Sequence, residues 1–195
     1  HAANAYIGRL IVKGYKVAIC EQVEDPKEAK GIVKRDVIKI ITPGTMLDDN
    51  YMDNEKNNYI LSVIHTKGNY GLAFCDISTG EFQGTYIKDD LNQLDNEISK
   101  FSPKEVVVSD KETGEYIKKR WNILINERKL EDATENINVQ GYFKSFSGSY
   151  NSIVASACSL LLSYLEETQK TGLTNLTHLE IYNTTDSMAL DVNTK

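Results

Sequence analysis

The sequence predicts an α/β fold built on a mixed sheet, and three observations predict it. Between Tyr59 and Ile87, apolar and β-branched runs are separated only by tight turns, which allow antiparallel pairing but not parallel crossovers. From Leu91 onward the apolar spacing becomes helical. Next comes "EVVVS", Glu105 to Ser109, a continuous apolar run of the kind covered on both faces of a sheet.

The elements follow in order. Ala3, Tyr6, Ile7, Leu10 and Ile11 fall at helical spacing, and Gly14 stands where a left-handed residue would end that helix. "KVAIC" reads as a buried strand and "DVIKII" as a second one, closed by Pro43-Gly44. Between them "DPKEAKGIVKR" is a polar loop or a short helix begun at Asp25. The polar run Leu47 to Asn58 connects to new structure. Tyr59–Thr66, Tyr70–Ile77 and Glu81–Ile87 then form a three-stranded meander. Leu91, Leu94, Ile98 and Phe101 share one helical face, and Pro103 stops that helix. After "EVVVS", Asp110 opens a helix with Tyr116, Ile117 and Trp121 facing inward, and "NILIN" is a last short strand. The strongest helical pattern is Ile153, Val154, Ala157, Leu160, Leu161, Tyr164 and Leu165, with Ser152 near its cap.

Three antiparallel strands, then αβαβ and a closing helix, is the element order of a ribonuclease-H-like sheet, placed at residues 46–175. Residues 1–45 hold a helix and two strands, too little to bury both faces of a sheet, and read as the tail of a partial α/β domain. Residues 176–195 read as the start of something new. The chain as a whole reads as cut from a longer protein.

Charge divides the chain in the same place. Its net charge is −6, but residues 1–45 carry +3 and the remainder −9. An acidic body argues against a free-standing nucleic-acid binder, and the mildly basic front supports weak, salt-sensitive binding at most. No apolar run approaches the roughly 20 residues that span a bilayer. Three cysteines, Cys20, Cys75 and Cys158, form no CxxC pair, so neither a disulfide framework nor a zinc site is indicated. With no secretory layout, a cytoplasmic location is expected.

The element order suggests a nuclease, which makes a metal-dependent ribonuclease-H-type enzyme the alternative to a binding module. Such enzymes gather several carboxylates around a divalent metal, one of them in the middle of the first strand. Here that strand, "YILSVIHT", carries no acid, and Asp76 stands just before a turn, where Asp commonly accepts from nearby amides. His1, His65 and His178 have no local partner at ligand or relay spacing. Cys75 and Cys158 lie among apolar residues and read as core thiols. Lys118, Lys119 and Arg120 read as the wet side of a helix. There is no phosphate loop, nucleophile elbow or dinucleotide fingerprint. No catalytic residue, metal ligand or cofactor site is predicted.

Three stretches carry a resemblance. "HAANAYIGRLIVKGYKVAICEQVEDPKEAKGIVKRDVIKIITPGT" resembles the second half of the mismatch-binding domain of the bacterial MutS family of DNA mismatch-repair proteins. "FCDISTGEF" resembles two strands of that family's connector domain, and "HLEIYNTTDSMALDVNTK" the start of its core and lever domain. The resemblance implies a non-catalytic connector, relaying between the mismatch-binding and core/ATPase domains and offering a docking surface to the partner protein MutL. It also implies that mismatched DNA, ATP with Mg, and a homodimer partner are bound by the parent protein through residues outside this chain. The family's mispair-sensing Phe-x-Glu triplet does not occur here. Within the acidic stretch Glu131 to Gln140, Glu135 and Asn136 are the candidate MutL contacts.

Overall fold

A computed structural model describes residues 2–27, 31–46, 57–131, 137–149, 151–170 and 173–184. The chain opens with helix α1 (Ala2–Val12) and strands β1 (Val17–Gln22) and β2 (Arg35–Ile41). The meander is β3 (Tyr59–Thr66), β4 (Asn69–Asp76) and β5 (Glu81–Lys88). Helix α2 (Leu91–Phe101), strand β6 (Glu105–Val108), helix α3 (Lys111–Trp121) and strand β7 (Leu124–Glu127) follow. A one-turn helix α4 (Val139–Tyr142), strand β8 (Ser145–Ser147), the long helix α5 (Ser152–Gln169) and strand β9 (His178–Ile181) complete the chain.

The architecture is α/β with a seven-stranded mixed sheet, ordered β7-β6-β3-β4-β5-β9-β8. Its centre is the predicted meander, with β3, β4 and β5 paired antiparallel in continuous register. The β3–β4 turn needs two left-handed residues, and Lys67 (φ 50°) and Gly68 (φ 74°) supply them. Strands β6 and β7 add in parallel beside β3. Strands β9 and β8 extend the other edge in parallel beside β5, so the sheet runs past residue 175, where the sequence pattern closes it.

Alternation along each strand sorts side chains to two layers. Leu61, Val63, Leu72, Phe74, Val106 and Val108 meet Leu94, Ile98, Phe101 and Ile117 of α2 and α3. On the opposite face Ile60, Ile64, Ala73, Cys75 and Val107 meet Val154, Ala157, Leu161 and Leu165 of α5. Strand β6 is buried throughout, as the run of valines predicts. Both layers depend on well-capped helices. Asp90 and Asp110 cap α2 and α3. Asn151 caps α5 by accepting from the Val154 amide at 2.9 Å, and Ser152, read as near the cap, is the first residue of the helix.

Two strand glycines let α5 lie close to the sheet. A Cβ at Gly71 would stand 2.5 Å from the Ile153 carbonyl oxygen, and one at Gly84 2.8 Å from Val154 Cγ1. Ser62 works alongside them, donating to the Ala157 carbonyl at 2.7 Å across the same interface.

The N-terminal segment is built differently. β1 and β2 form a separate two-stranded antiparallel ribbon. The helix before it ends as expected, with Gly14 at φ 81° donating to the Ile11 carbonyl. "KVAIC", however, is not a buried strand. Ala18 and Cys20 are exposed and Val17 and Ile19 only half-buried, because the two-stranded ribbon is not enclosed on both faces among the described residues. Asp25 turns the chain by accepting from the Lys27 amide at 2.9 Å. Cys75 and Cys158 are fully buried core thiols, as expected, and burial pushes both well above the ordinary thiol range. Cys20 is exposed. Among the described residues, no helix is long and apolar enough to cross a membrane.

Candidate functional site

The most elaborate polar construction lies where the N-terminal segment meets the sheet. After β2, the predicted Pro43-Gly44 turn is closed by two buried threonines. The Thr42 amide donates to Thr45 Oγ1 at 2.9 Å, and the two hydroxyls lie 2.9 Å apart. The turn then presses on the sheet so closely that a Cβ at Gly44 would stand 2.3 Å from Ile60 Cγ1.

Two side chains hold it there. Asn58, the residue before β3, donates through Nδ2 to the carbonyls of Pro43, Gly44 and Met46 at 3.1, 3.2 and 3.3 Å. Its own amide donates to Asp76 Oδ2 at 2.8 Å. Glu105, fully buried at the start of β6, accepts from the Gly44 amide at 3.0 Å through Oε2. Its Oε1 accepts from Asn126 Nδ2 at 2.9 Å and from the Tyr164 hydroxyl of α5. A buried carboxylate is costly unless its lone pairs are met, and here three donors from β7, α5 and the incoming turn meet them.

The Tyr164 ring carries the contact outward. Lys16 Nζ, just before β1, lies 5.4 Å from its centroid, and Arg128 Cζ, just after β7, lies 5.2 Å from it. Burial lowers the Lys16 pKa against the opposing pull of Glu105, with Arg128 lowering it further. Burial, together with the neighbouring Glu105 carboxylate, raises the Tyr164 hydroxyl, which keeps it a donor. Arg128 also pairs with Glu167 of α5. An open cleft of about 940 Å³ runs along this junction, lined by Lys16, Ile40, Asn126, Arg128, Tyr164 and Glu167 among others.

Chemically this construction binds and orients. Among the described residues it presents no nucleophile with a base, and its carboxylates Glu105, Asp76 and Glu167 are each engaged by protein donors. Asp76 behaves as its position before a turn predicts. It is buried, with Oδ1 accepting from the Ser78 amide and hydroxyl at 2.8 and 2.5 Å and Oδ2 from Asn58. Among the described residues no three His, Cys, Asp or Glu side chains come together as a metal site. Nothing in this arrangement supports the nuclease alternative.

The remaining candidates are scattered. His65 pairs with Asp89 at 3.2 Å and stacks on Tyr70, a long-range arrangement that local spacing does not reveal. His178 lies between the hydroxyls of Ser145 and Ser147 across the β8–β9 pair. Lys118 and Lys119 are exposed, while Arg120 reaches the buried Asp95 at 3.2 Å. Glu135 and Asn136 lie outside the described residues. The sequence pattern missed Glu105 and Asn58, although an acid opening a run of valines was the available signal for the first.

The junction thus joins two parts of the chain, the N-terminal segment and the seven-stranded sheet. The comparisons with known proteins agree. Residues 1–50 match the family model for MutS domain I, and residues 58–180 match that for MutS domain II. The DNA mismatch repair protein MutS of Clostridium novyi is 45% identical over 201 residues, covering 100% of this chain and 22% of that protein. Those of Acetivibrio thermocellus and Clostridium perfringens are 43% and 44% identical, again over 100% of this chain and 24% and 22% of theirs. This chain belongs to the MutS family of DNA mismatch repair proteins, and it spans less than a quarter of the length of these relatives.

Proposed function

We propose that this chain is the connector of a MutS-type protein, with the end of the mismatch-binding domain attached, and that its work is mechanical rather than catalytic. The strand order β5-β4-β3-β6-β7, antiparallel in its first three members and parallel thereafter, supports a ribonuclease-H-like sheet, and among the described residues no carboxylate cluster comes together on it. On this reading residues 1–45 end the mismatch-binding domain. Residues 46–175 together with β9 form the connector, and the chain beyond leads into the core and lever domain. Mismatched DNA, ATP with Mg and a second MutS subunit engage the parent protein elsewhere, in the cytoplasm.

The observation that carries this reading is the double fastening of the Thr42–Met46 turn by Asn58 and Glu105. A flexible tether would let the mismatch-binding domain report nothing, whereas a buried, fully bonded turn fixes its angle to the sheet. In a full-length MutS-type protein carrying this segment, Glu105→Gln and Asn58→Ala should leave binding to a mispaired duplex nearly intact. The same variants should weaken ATP-driven release of that duplex about tenfold, within the usual range of coupling between sites. Fluorescence anisotropy of a labelled duplex measures both. Wild-type release in both variants would remove the relay.

The same chain is proposed to dock MutL through the acidic stretch that holds Glu135 and Asn136. Replacing both with Lys in the full-length protein should weaken MutL recruitment to mismatch-bound protein while sparing DNA binding. Unchanged recruitment would take this stretch out of the account.

A further inference from the structure

The outgoing chain is fastened as firmly as the incoming one. Just after β9, the Tyr182 amide donates to the Gly84 carbonyl at 3.1 Å, and its carbonyl accepts from Thr85 Oγ1 at 2.7 Å. Its hydroxyl donates to Glu97 Oε2 of α2 at 2.5 Å, and Lys100 Nζ lies 4.4 Å from its ring centroid. Burial, then the Glu97 carboxylate, raises this hydroxyl's pKa.

The two fastenings are joined by aromatic rings. Tyr59 follows Asn58 directly, and its hydroxyl donates to Glu81 Oε2 at 2.5 Å, with Asn57 Nδ2 donating to it at 2.7 Å. Its ring meets Phe101 edge-on at 5.0 Å. Phe101, the last residue of α2, stacks on Phe74 at 3.9 Å and lies 6.1 Å from the Tyr182 ring. Phe101 therefore touches the residue where the chain comes in and the residue where it leaves. It also closes the helix that supplies Glu97 and Lys100. The residues are far apart in sequence, and the sheet register brings them to one corner of the layer.

We infer that Tyr59, Phe101 and Tyr182 form a bridge that couples the incoming connection at Asn58 to the outgoing connection at Tyr182, with Phe101 as its positioning residue. The inference rests on the relay reading for its biological sense, but it concerns a coupling inside this chain and is tested there. Packed aromatic rings are stiff, and moving one of three in contact forces its neighbours to repack. A bridge of this kind sends the angle of the first domain to the start of the next without routing it through the whole sheet.

The test is a mutant cycle read by amide hydrogen exchange in the 195-residue chain. Asn58→Ala loosens the incoming fastening without touching any of the three rings. It should speed exchange of the Tyr182 amide about tenfold, within the usual range for coupled sites. In a Phe101→Leu background the same change should have less than about a twofold effect, because the cycle removes the coupling term. Reciprocity supplies a second arm that leaves Phe101 and Asn58 in place. Tyr182→Leu should speed exchange of the Asn58 amide, which is bonded to Asp76. The Val107 and Leu161 amides serve as references for global opening. A Tyr182 amide indifferent to Asn58→Ala, an equal response in both backgrounds, or acceleration shared equally by Val107 and Leu161 would each overturn the bridge. ATP-driven release in the full-length protein, measured separately, decides the relay. One can therefore fail without the other.

Discussion

In the sheet unit, residues 57–184, the side chains of Leu61, Val63, Leu72 and Phe74 are wholly buried between two layers. In the N-terminal segment, residues 2–46, Tyr6, Val12, Tyr15 and Ile32 stand 65%, 74%, 59% and 93% exposed. Both regions hold helices and strands with similar apolar content. The difference is enclosure: a seven-stranded sheet with helices on both faces encloses its alternating side chains, whereas a two-stranded ribbon leaves much of its surface open. Regular secondary structure is thus no guide to where the stability resides. The N-terminal segment is held to the rest by the fastenings at Gly44 and the Tyr164 ring together with the packing of β2 on α5, and the sheet unit by its own core.

The comparison breaks most sharply at Phe74. Phe74→Ala should cost about 3–5 kcal/mol, since it empties a site flanked by Phe101 that cannot easily collapse. Urea denaturation followed by far-UV circular dichroism measures it. A loss under about 1 kcal/mol would mean that the sheet unit does not carry the stability.

Gly71→Val tests the closeness of α5 to the sheet. The new side chain would begin 2.5 Å from the Ile153 carbonyl oxygen, and overpacking of this kind costs about 1–3 kcal/mol. The same denaturation experiment reads it, and an unchanged midpoint would show that α5 can shift at no cost.

A smaller effect is expected at alkaline pH. Burial, with help from Glu166, raises Tyr142 to about 12 from its ordinary 10.0, so the fold favours the neutral phenol. That contribution is whole below pH 10.0 and is lost as the pH climbs through about 12. Stability should therefore fall above pH 10.0, and Tyr142→Phe should flatten part of the fall in a series of denaturation curves. A variant that follows the wild-type slope would contradict the assignment.

The smallest effect belongs to the other region. Ile32→Ser should change stability by less than about 0.5 kcal/mol, because its side chain gains almost no burial. A large loss would show that the N-terminal segment has a core after all.

What could be read from the sequence follows the same division. The meander was legible because Lys67-Gly68 and Ser78-Thr79-Gly80 leave room only for hairpins, and β6 because four successive residues had to be covered on both faces. Strands β8 and β9 were not legible. Three and four residues are too short to show a period, and their pairing joins positions 33 apart, as between Ser145 and His178. Exposure of "KVAIC" was misread because apolar runs say what a strand could bury, not whether a layer exists to bury it. The junction was half legible: Pro43-Gly44 marks a turn, but its acceptor on Glu105 lies 61 residues away. Glu135 and Asn136 fall outside the described residues.

The distribution of thiols turns this unevenness into a measuring device. Cys20 is open on the ribbon, while Cys75 and Cys158 are shut inside the sheet unit with their ionisation suppressed. An alkylating reagent should therefore mark Cys20 at once and the other two only when the sheet unit opens. In this chain a dye can be placed on the N-terminal segment with no engineered cysteine. The slow labelling that remains is a clock for how often the sheet unit comes apart.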